Sequence, residues 1–426
     1  MRPPMNPNYQ SWPVRASPNT KQFMNIQKNL LLALPKTDLH VHLDGSLRLE
    51  TLIELAKGRG VELPSYTTTG LEELVFKDNY ENLGDYLHGF MYTCGVMQDP
   101  EALERVAYEL AWDNINEGVR YIEVRFAPQL HMRRGFNFDA VLLAVDRGLA
   151  SAMREYSASE AVAVRQEPPF RYGIIVCAMR KFASNFSPWY SNLCNAMAEA
   201  PPTKLYATAA LEAARAAVRV RDETGIPVVG FDLAGEERGY PADDYVEAYQ
   251  YAKDNFLKCT VHAGEAYGPE SIYQAITGLH ADRIGHGYHL FDADQVTSPK
   301  ISDPERYVRA LASYISDSRI TIEVCITSNL QTNPNIGSVE NHVFRKMIDE
   351  RLSATLCTDN RLISKTSMTK ELGIAVEAFN MTEANIRNTV IYGFKRSFFP
   401  GSYIEKRAYV RNIIDYYEKV WKEHTA

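Results

Sequence analysis

Little in this sequence is extreme, and several familiar signals are missing. Cysteine is scarce: six residues in 426, with no Cys-x-x-Cys pair. Cys177, Cys259, Cys325 and Cys357 stand inside apolar, strand-like runs, where a free thiol packs as a small hydrophobe. That pattern argues against a disulfide framework and for a reducing, cytoplasmic setting. No apolar run is long enough to span a bilayer, and no long basic run occurs. With a formal net charge of −7, the chain has no general attraction for phosphate backbones or anionic lipid. Neither nucleic acid nor membrane is therefore expected as a partner. No Gly-x-Gly-x-x-Gly follows a strand-like run, which counts against an open dinucleotide-binding sheet. The N-terminus has no apolar h-region of the kind a signal peptide carries. Residues 1–22, with several Pro, Asn and Ser, read as a flexible tail ahead of one domain over 23–426.

What is present suits a large folded core, with 45% hydrophobic and 23% charged residues. After a short helical lead-in at 23–34, strand patterns fall at 37–42, 119–126, 171–177, 228–233, 257–262, 283–286, 320–325 and 353–358. Helical patterns lie between them, among them 49–57, 100–117, 138–156 and 205–223. Strands that alternate with helices imply parallel pairing with crossover connections. Eight such units predict an α/β fold, a (β/α)8 TIM barrel with extra helices and surface insertions. The polar, proline-containing stretches 181–203 and 291–306 read as those insertions, and 367–423 as C-terminal helices.

In such a barrel, catalytic groups gather at the C-terminal strand ends. Strand one carries His40 and His42, which as i and i+2 project to the same side. Strand five ends in His262, strand six in His286, and Asp359 follows strand eight. Each alone has an ordinary explanation as a hydrogen-bonded histidine or a turn aspartate. Together His40, His42, His262 and Asp359 offer the three imidazoles and one carboxylate of a catalytic zinc site. One Zn2+ per chain would bring the pKa of a bound water near 7. Glu265, three residues past His262, is placed to transfer a proton to a substrate, and His286 to deprotonate or orient the water. The combination describes hydrolytic attack on an unsaturated carbon, with a proton given to a ring nitrogen.

Five segments then carry a family resemblance. Pro35 to Gly45, Asp232 to Glu237, Val261 to Glu265, Arg283 to Gly287 and Cys357 to Asp359 resemble, in the same order, the adenosine deaminases of the amidohydrolase superfamily. The resemblance runs from about residue 35 to 400. It implies a purine nucleoside as substrate, with Glu265 protonating N1 and His286 acting on the zinc water. It also implies that the Gly235 N–H meets N3 and that Asp44 meets the ribose 5′-hydroxyl. Leu83, Tyr86, Leu87 and Phe90 would form an apolar gate. After the zinc aspartate many members carry a second aspartate and then proline, where this chain has Asn360 and Arg361. An amide donates to purine N7 without needing to be protonated, so Asn360 suits the same contact.

The expected reaction is deamination of a 6-aminopurine nucleoside, adenosine or 2′-deoxyadenosine, to the 6-oxo product and ammonia. Adenine or a 5′-modified nucleoside such as aminodeoxyfutalosine would use the same machinery. A non-catalytic purine-binding protein would have lost a ligand or the acid, and neither is missing. Glu323, Ser328 and Asn329 are expected to orient ligands. Glu123 and Arg125 are expected to pair within the barrel. Oligomeric state has no signature in the sequence.

Overall fold

The computed structural model describes residues 28–425 except Asn82; the side chains of Leu83 and Pro334 also lie outside the description. The tail at 1–22 and the first residues of the expected lead-in, 23–27, fall outside the described residues.

Eight strands are present: β1 (Lys36–His42), β2 (Val119–Phe126), β3 (Arg171–Met179), β4 (Val228–Ala234), β5 (Lys258–Ala263), β6 (Arg283–His286), β7 (Thr321–Val324) and β8 (Ser353–Leu356). They lie in sequence order, each parallel to the next. Closure runs through the residues just beyond β8. Val41 bridges Asp359, the His42 N–H donates to the Asp359 carbonyl at 2.7 Å, and the Asp359 N–H donates to the His40 carbonyl at 2.8 Å. This is the predicted (β/α)8 barrel, and strands covered on both faces explain their long buried runs.

The helices follow local signals. Asp99 accepts the Ala102 N–H and Pro100 occupies the first turn, which starts the helix Pro100–Asn116. Its buried face, including Leu103, Val106 and Leu110, meets the helix Phe138–Ser157. Gly148 permits that contact, since a Cβ there would lie 2.2 Å from the Glu104 carbonyl oxygen. One expectation needs correction. The stretch 181–203 is not an irregular surface insertion: Ser187 caps a helix, Pro188–Ala196, and Phe182 and Tyr190 stack in the core beside it. Its charged and amide residues hid a buried aromatic pair. The stretch 291–306 is loop and short 3-10 turns until the helix Pro304–Ser318 begins.

The barrel interior is charged where apolar layers are usual. Glu123 and Arg125 do not pair with each other, because residues two apart on one strand point side by side across the barrel. Arg125 donates to Asp232 at 3.0 Å and to Glu323 at 2.9 Å, while Glu123 receives Arg283. Arg283 also donates from Nε to Glu323 at 2.6 Å and stacks on the Phe398 ring. Burial alone would push Glu323 up, but Arg125 and Arg283 hold it well below the usual carboxylate range. Removing one member of such a network strands the others as uncompensated buried charge. Arg283→Met is expected to cost about 3–5 kcal/mol, read as a lower midpoint in urea unfolding.

Candidate metal centre and active site

The strand ends bring the expected ligands to one point. His40, His42, His262 and Asp359 are all buried, and one ligand atom from each lies within 4.8 Å of the rest. His42 Nε2 is 3.1 Å from His262 Nε2, and Asp359 Oδ1 is 3.4 Å from Nε2 of both His40 and His42. Donors bound about 2.1 Å from one tetrahedral ion stand roughly 3.4 Å apart. The outer nitrogens are held by carboxylates: His40 Nδ1 by Glu323 at 2.8 Å, His262 Nδ1 by Asp232 at 3.1 Å. That fixes the tautomers so that both Nε2 lone pairs face inward. Buried His40 Nε2 has no hydrogen-bond partner, so its lone pair is available to an ion. The donor set therefore fits a divalent metal.

The remaining Asp359 oxygen accepts from the Ser328 hydroxyl at 2.7 Å and from Tyr86 at 3.4 Å. Asp359 and His286 both hold positive φ, 60° and 63°. Such backbone is unfavourable for residues with a side chain and collects at functional sites. Asp232 belongs to a quoted motif yet had no role assigned from sequence. It was legible as a carboxylate ending an apolar strand, where a buried charge needs partners.

Glu265 is buried beside this cluster, 3.8 Å from His286 Nε2. Burial, with the charge of Asp359 added, raises its pKa to about 8. Its loop is clamped by Glu237, a residue sequence reasoning missed. Glu237 accepts the N–H groups of Gly264, Glu265, Ala266 and Tyr267 at 2.7–3.1 Å, and the Ser271 hydroxyl at 2.5 Å.

His286 is oriented by a chain of defined direction. The Phe344 N–H donates to His342 Nδ1 at 3.1 Å. Burial lowers His342 to about 3, so its ring is neutral and Nε2 carries the proton, which goes to Asn329 Oδ1 at 3.2 Å. The Asn329 amide then donates to His286 Nδ1 at 3.1 Å. A neutral His286 consequently bears its proton on Nε2, facing Glu265. Burial lowers the pKa of His286 well below its usual value, which keeps that neutral form.

The cluster floors a cavity of about 830 Å3. Asp44, Tyr86, Leu87, Phe90, Gly235, Glu265, His286 and Asn360 all line it. Burial raises Asp44 to about 7. Gly235 has φ +95°, a conformation that favours glycine, and brings backbone to the wall. Tyr86 is not a free apolar flap. Its hydroxyl meets Ser364 and accepts from the Asn360 amide, both at 2.8 Å. Lys181, Ser184, Asn185 and Phe186 add a wall that the sequence had suggested was mere surface.

Comparison with known proteins now bears on the site. The sequence model described as adenosine deaminase matches residues 35–416. The chain belongs to the adenosine deaminase family. It is thereby a hydrolytic deaminase of a metal-dependent family. It is 37% identical over 366 residues to an adenosine deaminase of Mycobacterium ulcerans (strain Agy99), covering 85% of this chain and 90% of that one. It is 38% identical over 371 residues to an adenosine deaminase of Mycobacterium leprae (strain TN), covering 86% and 91%. Among solved structures, an amidohydrolase from Burkhoderia ambifaria with bound Zn superposes at TM-score 0.72 with 19% identity, covering 94% of both chains. That last likeness is one of fold.

Asn329→Asp replaces the amide donor with an acceptor and is expected to move the His286 proton to Nδ1. Nitrogen-15 NMR of the histidine rings should report the exchanged tautomer, with kcat down at least about tenfold.

Proposed function

We propose that the chain hydrolyses the 6-amino group of adenosine, and of 2′-deoxyadenosine, releasing ammonia, with one Zn2+ held by His40, His42, His262 and Asp359. The observation that carries this reading is the convergence of three imidazoles and a carboxylate beneath a nucleoside-sized cavity, beside a buried acid whose burial favours its protonated form. The bound ion would supply a nucleophile at neutral pH by lowering the pKa of water to about 7.

The protein's groups do the rest. Glu265, protonated, gives its proton to purine N1 and so leaves C6 open to attack. It then takes one proton from the attacking water, and the water's second proton leaves with the amine. The water oxygen first adds to C6, making it tetrahedral, and the C6–N bond then breaks as the 6-oxo group forms and ammonia leaves. His286, with its proton on Nε2, acts as a donor that orients the attacking oxygen and stabilises charge on it. Of the two roles open to it from sequence, base or orienter, the direction of the Asn329 chain supports the second.

The Gly235 N–H is assigned to N3, the Asn360 amide to N7 and Asp44 to the ribose 5′-hydroxyl. Leu87 and Phe90 cover the base, together with Tyr86. The cavity exceeds what a free base fills, which supports a nucleoside over adenine.

A substrate panel by ammonia release tests this reading. Adenosine should be turned over at least tenfold faster, by kcat/KM, than adenine or a nucleoside substituted at the 5′ position; the reverse order overturns it. Chelator treatment should abolish turnover, and about one equivalent of zinc should restore it. Glu265→Gln should keep zinc, measured by mass spectrometry, yet lose about 10²–10⁴ in kcat. The acid is active only while protonated, so activity should fall as pH rises through the Glu265 pKa. The metal's positive charge pulls that value down, placing the alkaline limb at or below about pH 8.

A further inference from the structure

A second group of side chains able to hold a metal stands at the cavity edge, where two of its three members line the wall. One ligand atom each from Asp44, Cys94 and His131 falls within 4.8 Å of the others. We infer that these three residues form a separate soft-metal site, one that takes Zn2+ or another thiophilic divalent ion and, when filled, obstructs the sugar end of the cavity. The obstruction clause rests on the nucleoside reading above; the metal site itself does not.

His131 comes from the turn after Pro128–Leu130 and is fully buried. Its Nδ1 lies 2.9 Å from the Met97 carbonyl. A carbonyl only accepts, so Nδ1 carries the hydrogen and a neutral ring keeps its lone pair on Nε2. That Nε2 is buried and has no hydrogen-bond partner. Asp44 Oδ1 is likewise buried and has no hydrogen-bond partner, with His42 Nδ1 3.9 Å away. Cys94, on the helix Phe90–Val96, places Sγ 3.9 Å from Asp44 Oδ2.

Two buried acceptors without a hydrogen bond are costly, and each would be met by a cation. Metal-binding histidines very often donate their other N–H to a backbone carbonyl or a carboxylate, as His131 does. Sulfur, nitrogen and oxygen donors together suit a borderline-soft ion with an open fourth position. Asp44 and Cys94 face the cavity, so the open position does too. Binding needs no redox partner: the Cys94 thiol releases its proton to solvent as the metal–sulfur bond forms.

Sulfur also makes the site observable apart from the histidine–aspartate cluster, which contains none. Full-length enzyme already carrying one zinc is titrated with Cd2+, and the thiolate-to-cadmium ultraviolet absorption is followed. Absorption should saturate at one thiolate per chain. Metal analysis should find a second equivalent. Cys94→Ser and His131→Gln, shown folded by circular dichroism, should each lose the absorption, whereas Cys194→Ser should retain it. No absorption, or absorption unchanged in Cys94→Ser, overturns the site. In the parent, excess Zn2+ should raise KM for the nucleoside at least tenfold with kcat little changed, and Cys94→Ser should lose that response. A filled site with unchanged KM overturns the obstruction clause alone. Failure of the chain to deaminate adenosine would leave the absorption test intact.

Discussion

Glu323 is the group on which the rest of this molecule turns. It sits at 0% exposure in the barrel throat and accepts from His40, Arg125, Arg283 and Thr260. One of its oxygens aligns an imidazole of the metal cluster. The other accepts from Arg283 on β6 and Thr260 on β5, the two strands that precede β7. Charges buried this deeply seldom add net stability over a well-packed apolar core, because desolvation offsets much of their attraction. What they supply is direction. A carboxylate with four fixed donors cannot rotate, so His40 cannot either. Asp232 does the same for His262 from the opposite side, and Arg125 joins the two carboxylates. The metal cluster is thus the upper surface of an ionic lattice that fills the barrel.

That arrangement explains what could and could not be read from the amino-acid order. Strands and helices were legible because their periodicities are local. The four ligands were legible because His-x-His, a histidine at a strand end and an aspartate after a strand recur at equivalent places in eight similar units. Partner choice was not legible. Glu123 and Arg125 are two apart, yet each is matched across the barrel by Arg283 and Asp232. Strand register and barrel shear decide that, and no window of sequence contains them. Glu237 and His342 were hidden for the same reason: each acts on residues far away in sequence, though Asn329, the link between His342 and His286, was already expected to orient a ligand. The wall at 181–188 was hidden by its polarity, since residues facing a wet cavity look like residues facing solvent.

The active-site backbone carries strain that the ionic lattice can hold. Asp359 and His286 adopt positive φ; the main chain of Asp359 is bonded to β1 and that of His286 pairs with β5, while Ser328 and Asn329, both on the helix Ile326–Thr332, hold their side chains. The two features belong together, because unfavourable backbone persists only where its surroundings over-determine it. A histidine with a fixed tautomer and a carboxylate with a fixed orientation are the result.

The seam between the first strand and residue 359 is also the place where the metal ligands come together. During synthesis β1 emerges early and must wait for more than 300 further residues before its last neighbour exists. Until then two of the three imidazoles hang on an unpaired sheet edge with no carboxylate to complete them. A ribosome-bound fragment ending before Asp359 would therefore present an open edge and an incomplete ion trap. With an ion held there as proposed, its capture and the closing of the ring would coincide late in synthesis, because an unpaired strand edge stays open to other pairing until its neighbour exists.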